Sequence, residues 1–223
     1  LQIMTFFSCS ILERNTQKVN NFKKMGRKST VKKRYVDKGI KAGYTLKLLV
    51  YFQKHGIKNF SMSKMASDFN MSKTTLYNHF ESKESMIEAA INYKLTSIGD
   101  YKTVLFDKDL AYTERLRKSL LFYCVQIFDM SRNLLSEVKE DYPSLWIKVI
   151  KFQKQLLRDL HDYYKLGQRI GHYKVDFDIE LIVANDQSFF QWLSQKHLPK
   201  KYEGDIAAVV NEYCRLKFKG IMS

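Results

Sequence analysis

Apolar residues return at three- and four-residue spacing along most of this chain, and no segment shows the two-residue alternation of a half-buried strand. The pattern predicts an all-α protein. A first helix is expected over Asp37–Lys54, with Ile40, Tyr44, Leu48 and Tyr51/Phe52 on one face, Leu46, Leu49 and Val50 widening it, and Gly56 as its stop. Ser61–Phe69 carries Met62, Met65, Ala66 and Phe69 at i, i+3, i+4 and i+7. Lys73–Phe80 turns Leu76 and Phe80 inward, and a helix from Lys83 to about Ile98 buries Ile87, Ala90, Ile91, Leu95 and Ile98. Gly99–Lys108 reads as a joint. Beyond it, helices are expected over Leu110–Met130, Leu134–Glu140, Ser144–Lys165, Asp176–Lys196 and Gly204–Lys219, with breaks at Tyr142-Pro143 and Leu198-Pro199 and interruptions at Gly167 and Gly171. No stretch repeats or is low in complexity.

The punctuation between the second and fourth of these helices is dense. Ser61, Ser72 and Ser82 each precede a helix, where a hydroxyl can accept from an unpaired backbone N–H of the first turn. Asn70 tolerates the left-handed backbone that a tight turn requires. Glu84 places a negative charge in a first turn, where the helix dipole favours it. Two short helices joined tightly form a helix-turn-helix, whose second helix can enter the DNA major groove. Its outer positions are Lys73, Thr74, Thr75, Tyr77 and Asn78. Lysine pairs with phosphate, threonine and asparagine bond to base edges or phosphate, and a threonine methyl can touch a thymine methyl. An ordinary helical hairpin with a solvated polar face would read the same way by spacing alone.

Composition narrows the choice. The chain has 223 residues, 45% of them hydrophobic, with 9 Gly and 2 Pro, which suits long helices around a real core. The formal net charge of +15 calls for an anionic partner, nucleic acid before an anionic membrane surface, against a merely basic soluble or ribosome-associated protein. No run approaches the ~20 apolar residues that span a bilayer. Cys9, Cys124 and Cys214 are too widely spaced for a zinc site or disulfide framework and are expected as buried thiols in a reducing cytoplasm. Leu1–Lys24 fits none of the pattern and is expected to be poorly ordered and without function; Met25 begins an MGRKS stretch like the opening of many DNA-binding regulators. Lys23–Arg34 is a basic run that can serve as a flexible arm on phosphate or the minor groove.

The C-terminal part has no recognisable catalytic cluster. His161 and His172 stand alone, Asp176 and Asp178 suit a helix N-cap better than a metal, and there is no Gly-rich phosphate loop. No enzyme, metal or cofactor is expected. Aromatic residues are frequent, and at helical spacing most of them are core.

The Tyr51-Phe52 pair before Gly56, then Ser61, Met65-Ala66, and the run Met71-Ser72-Lys73-Thr74-Thr75-Leu76-Tyr77-Asn78-His79-Phe80 with Ser82-Lys83-Glu84 resemble the DNA-binding domain of the TetR family of bacterial transcriptional regulators. The TLYxHFxSKE segment is highly specific to that family. Phe69-Asn70 departs from the family's small residue and glycine at the turn, and Met65 from its isoleucine. The resemblance implies a disordered extension and basic arm over residues 1–35, a helix-turn-helix domain over 36–98 and a helical effector-binding and dimerisation domain over 99–223. It implies Thr74, Thr75 and Asn78 as base readers, with Ser61, Ser72, Lys73, Tyr77, His79 and Lys83 on the DNA backbone. A pocket for a small apolar or amphipathic effector is expected among Phe122, Leu145, Trp146, Phe152 and Phe189. The last two helices carry Ile179, Ile182, Val183, Phe189, Phe190 and Leu193, then Ile206, Val209, Val210 and Tyr213, and are implied as a homodimer interface; packing within one subunit is the alternative. The whole would be a cytoplasmic, ligand-responsive repressor on a palindromic operator. The rival reading is a helical small-molecule-binding protein or enzyme whose helix-turn-helix serves protein–protein contact. Retardation of a duplex from the protein's own upstream region separates the two.

Overall fold

The computed structural model describes residues 38–222 apart from Asn59, so the extension and basic arm expected over 1–35 lie outside the described residues. The described residues form α1 (Lys38–His55), α2 (Met62–Asp68), α3 (Lys73–His79), α4 (Lys83–Gly99), α5 (Tyr101–Leu105), α6 (Tyr112–Phe128), α7 (Arg132–Asp141), α8 (Pro143–Arg169), α9 (Ile179–Ser194), a 3-10 turn (Lys200–Tyr202) and α10 (Ile206–Ile221). Among them there is no strand, only an isolated antiparallel bridge between Tyr173 and Met222. No described helix is long and apolar enough to cross a membrane.

Two compact units result. Among the described residues, one contains those up to Val50 together with Ser61–Ala90; the other contains those of Tyr51–Phe60 and those from Ile91 onward. The division expected at residue 98 therefore falls earlier. The expected boundary is a helix end, whereas packing decides it: α4 is unbroken, and its second half lays Ile91 and Ile98 into the body.

In the head unit, Leu48 and Leu49 of α1, Met65 and Ala66 of α2, Leu76 of α3, Phe80, and Met86, Ile87 and Ala90 of α4 are buried. Val50 and Ile40 are not; Val50 is 59% exposed. Two residues beyond Leu48 is about 200° around a helix, so Val50 points away from the face that Leu48 buries.

The body packs α6 against α5, α9 and α10, and α8 against α7 and α9. Its core includes Tyr101, Leu116, Leu120, Leu160, Leu193 and Val210. The expected joint at Gly99–Lys108 instead contains α5, which buries Tyr101 and Leu105; the Tyr101 hydroxyl donates to Asp159 at 2.5 Å. Of the apolar residues named on the last two helices, Val183, Phe190, Leu193, Ile206, Val209 and Val210 are buried within the chain, while Ile179, Ile182, Phe189 and Tyr213 are only partly buried against the same core.

The two glycines expected to interrupt α8 play different parts. Gly171 ends it, at φ +78, with the His172 and Gly171 N–H groups closing onto Gly167 and Gln168 carbonyls at 2.9 and 3.2 Å. Gly167 stays helical and buried, because the Tyr173 ring occupies the place of its missing Cβ.

Two polar arrangements tie the body together. The Lys217 ammonium lies 2.7 Å from Asp186 Oδ1 and donates to the Tyr164 hydroxyl at 2.8 Å, while that hydroxyl donates to Asp186 Oδ2 at 2.5 Å. Lys217 and Asp186 side chains are 3% and 0% exposed, so breaking this pair would strand a buried charge. Burial and the Asp186 carboxylate push the Tyr164 hydroxyl well above its ordinary pKa. Glu137 of α7 accepts from the backbone N–H groups of Ile57 and Lys58, and Lys58 reaches Glu140 at 2.7 Å, fixing the loop after α1.

Gly167→Ala would put a Cβ 2.2 Å from the Tyr173 ring and 3.0 Å from Tyr112. Alanine normally favours a helix over glycine by about 1 kcal/mol. Here overpacking is expected to outweigh that gain and lower stability by about 1–3 kcal/mol, read as a reduced denaturant midpoint.

Candidate functional site

The helix-turn-helix is built from its caps. Ser61 accepts from the Lys64 N–H at 3.2 Å to open α2. At the other end Asn70 takes φ +51; the Met71 N–H reaches the Ala66 carbonyl at 2.8 Å and the Asn70 N–H reaches Ser67 at 3.0 Å. This paired closure satisfies carbonyls that the helix end leaves open. Ser72 then starts α3 by accepting from the Thr75 N–H at 3.0 Å. Ser82 opens α4 reciprocally: its hydroxyl accepts from the Ser85 N–H and its own N–H donates to the Ser85 hydroxyl, both at 3.1 Å. A hydrogen bond from the Glu84 backbone, and after it one from the Ser82 hydroxyl, hold the Glu84 carboxyl below its ordinary pKa.

The two faces of α3 are distinct. Leu76 is fully buried and Phe80, just past the helix, nearly so. Lys73, Thr74 and Asn78 are exposed, and Tyr77 is 47% exposed despite its large apolar ring. Ser72 and Ser61 are exposed but engaged as caps. Thr75 is half-buried, and its hydroxyl lies 2.9 Å from that of Ser72. Thr75, expected as a base reader, thus also has its hydroxyl engaged at the cap. His79, expected on the DNA backbone, is half-buried. Its ring meets Tyr44 edge-on at 5.0 Å, and its Nδ1 is buried without a hydrogen-bond partner among the described residues. Lys83 is half-buried at the start of α4. The head unit adds exposed lysines that the motif does not mark: Lys41, 5.3 Å over the Phe80 ring, with Lys47 and Lys64. Only their charge could have suggested them, since they lie on α1 and α2 and not on the second helix of the motif.

Within the body lies a cavity of about 140 Å³. Its walls are mostly apolar, with Ile91, Ile98, Tyr123, Met130, Phe152 and Phe190 among them. Of the five residues expected to line a pocket, Phe152 does so, while Phe122, Leu145, Trp146 and Phe189 lie elsewhere. The error on α6 and α9 is one residue: Tyr123 and Phe190 face the cavity where Phe122 and Phe189 were expected, and one step turns a side chain by about 100°. Phe189 instead stacks on Tyr213 at 3.8 Å, Leu145 is buried outside the cavity wall, and Trp146 sits under the Lys139 ammonium. Lys94 of α4 also lines the cavity, and no sequence signal set it apart from the many solvent-facing lysines. It is buried and donates to Gln126 Oε1 at 3.0 Å and Asp129 Oδ2 at 3.2 Å. Burial holds its pKa below the ordinary lysine value, the Asp129 carboxylate opposing that shift only in part.

Cys124 and Cys214 are free and buried, and burial raises both thiols. Among the described residues no group of three or more His, Cys, Asp and Glu could hold a metal ion. Asp178 caps α9 as expected, accepting from the Glu180 and Leu181 N–H groups.

Residues 49–90 match the family model described as "Bacterial regulatory proteins, tetR family". Over 167 residues, 73% of this chain and 86% of the relative, the protein is 20% identical to an uncharacterized HTH-type transcriptional regulator, YvaF, of Bacillus subtilis (strain 168). Among solved structures, a regulatory protein of the tetR family from Rhodococcus RHA1 aligns with TM-score 0.64 at 19% identity, covering 82% of this chain and 97% of that one. The fatty acid degradation regulator FadR from Bacillus halodurans aligns with TM-score 0.60 at 20% identity, covering 81% and 96%. The ketosteroid transcriptional regulator KstR2 of Mycobacterium tuberculosis aligns with TM-score 0.59 at 17% identity, covering 87% and 97%. These likenesses establish a shared fold.

Burial separates what holds α3 from what it presents. Leu76→Ala is expected to destabilise the protein by about 2–5 kcal/mol, whereas Thr74→Ala, at an exposed position, should stay within about 0.5 kcal/mol of wild type. Denaturant titration of the two variants tests the assignment.

Proposed function

We propose that this chain, a DNA-binding transcriptional regulator of the TetR family by its matched head and shared fold, acts as a ligand-responsive repressor, a homodimer on a two-fold symmetric operator. One observation carries the reading: α3 buries Leu76 and leaves Lys73, Thr74, Tyr77 and Asn78 in solvent on a rigidly capped helix. In this proposal Thr74 and Asn78 read base edges from the major groove. Lys73 and Tyr77 hold the phosphate backbone, with Ser61, Ser72 and Lys83 near it, and Thr75 and His79 orient the helix. Exposed Lys41, Lys47 and Lys64 add positive charge without sequence preference.

A single helix-turn-helix reads few base pairs, and a second copy doubles the contacts and matches a palindrome. The dimer is proposed through the outward side of α9 and α10, where Leu181 and Leu216 remain 69% and 59% exposed after the inner face is buried. The body cavity would hold the effector. A ligand that binds the DNA-incompetent state more tightly shifts the population and releases the operator. The reading needs no catalytic step, and its place of action is the cytoplasm, where a bacterial chromosome lies.

Tyr77→Ala is expected to weaken operator binding roughly tenfold, about 1.4 kcal/mol, with an unchanged circular dichroism spectrum. Equal affinity of mutant and wild type in a gel-shift titration would count against the face assigned to DNA. Binding should also fall steeply with salt, by about a thousandfold or more between 50 and 200 mM if six or more phosphates are neutralised. A flat log–log plot would reject phosphate neutralisation as the source of affinity.

A further inference from the structure

We infer that the body cavity takes a small amphipathic carboxylate, with its apolar part among Ile98, Tyr123, Phe152 and Phe190 and its carboxylate on the Lys94 ammonium. The inference deepens the ligand-responsive reading and rests on it for its regulatory meaning.

Size sets the apolar part. A cavity of about 140 Å³ is close to one that admits a benzene molecule. A body of roughly six to eight carbons fits that space, and a long acyl chain or a bulky cofactor does not. Charge sets the head. The Lys94 side chain is 6% exposed, whereas its partner Asp129 is 67% exposed. The ammonium has thus lost most of its water, and its counter-charge sits largely in solvent, where attraction is screened. An ammonium has three donors, and two are used, on Gln126 and Asp129. The third is available to a carboxylate entering from the cavity, and Asp129 can withdraw into water at little cost. A neutral ligand would fill the same space and leave the ammonium as it is.

The position of Lys94 also matters. It is on α4, the helix whose first turns carry Met86, Ile87 and Ala90 into the core of the head unit. A ligand that re-pairs Lys94 acts directly on the element that continues into the DNA-binding part.

Calorimetric titration of the full chain with hexanoate, phenylacetate and 1-hexanol, each alone, tests the inference. The two acids are expected to bind at least about tenfold tighter than the alcohol, as a charge-assisted hydrogen bond in a buried site provides. Lys94→Met should remove that preference while retaining 1-hexanol binding, and Asp129→Asn, which removes the competing carboxylate, should tighten acid binding. Equal affinity of hexanoate and 1-hexanol for wild type, a preference that survives in Lys94→Met, or no binding of any probe would overturn the inference. Should Lys94→Met fail to fold by circular dichroism, the wild-type comparison and Asp129→Asn decide it. A gel shift with the same probes separates the two readings. Acid binding without operator release would uphold the carboxylate site and refute ligand response. Operator release by hexanoate and 1-hexanol alike would uphold ligand response and overturn the carboxylate site.

Discussion

The burial of Leu76 is the contact on which the head unit depends. A seven-residue helix is too short to persist in water by its own hydrogen bonds, since nucleation costs more than so few bonds return. Apolar packing must hold it, and packing one side chain of a helix fixes the direction of all the others. With Leu76 and Phe80 inside, Thr74, Tyr77 and Asn78 have no choice but to face water. The caps then set where the helix begins. Ser72 opens it, and the left-handed Asn70 with its paired carbonyl closures determines how the chain arrives there from α2. Asparagine performs here what glycine does at a smaller cost in backbone strain.

The body solves a different problem. Its helices must enclose a space rather than present a rod, and they do so with a core that is apolar except at a few closely paired groups. Asp186 and Lys217 join α9 to α10 and, through Tyr164, to α8. Replacing either charge alone would cost more than the pair is worth, which gives the network value as a constraint on how those three helices meet. Lys94 is the less complete counterpart, buried on its own side and paired to a group in solvent. That difference between a closed pair and an open one is why the cavity, and not the Asp186 network, reads as a place for a ligand.

How much of this could be read in advance varied by kind of information. The head elements were visible because three serines, an asparagine and a glycine mark their ends, and because the i, i+3, i+4, i+7 spacing of Met62, Met65, Ala66 and Phe69 is local information. The boundary between units was not, since α4 passes through it without a break and only distant packing divides Ala90 from Ile91. Gly167 looked like an interruption because glycine usually is one; the reason for it is the Tyr173 ring, six positions on in sequence, which needs its space. Phe152 was found, whereas Phe122 and Phe189 missed by one residue, because periodicity assigns a face and not the neighbour behind it. Lys94 and Lys217 were unreadable among 38 basic residues, since nothing local distinguishes a lysine that burial will claim.

The central claim is that α3 meets DNA from the major groove, twice, across a two-fold axis. Methylation interference with dimethyl sulfate on a duplex selected by the purified protein tests it most directly, because the reagent marks guanine N7 in the major groove and adenine N3 in the minor groove. The account predicts interference at guanine N7 in two clusters related by dyad symmetry, with centres separated by about one helical turn or a multiple of it. Interference confined to adenine N3, or a single cluster without a symmetric mate, would contradict it.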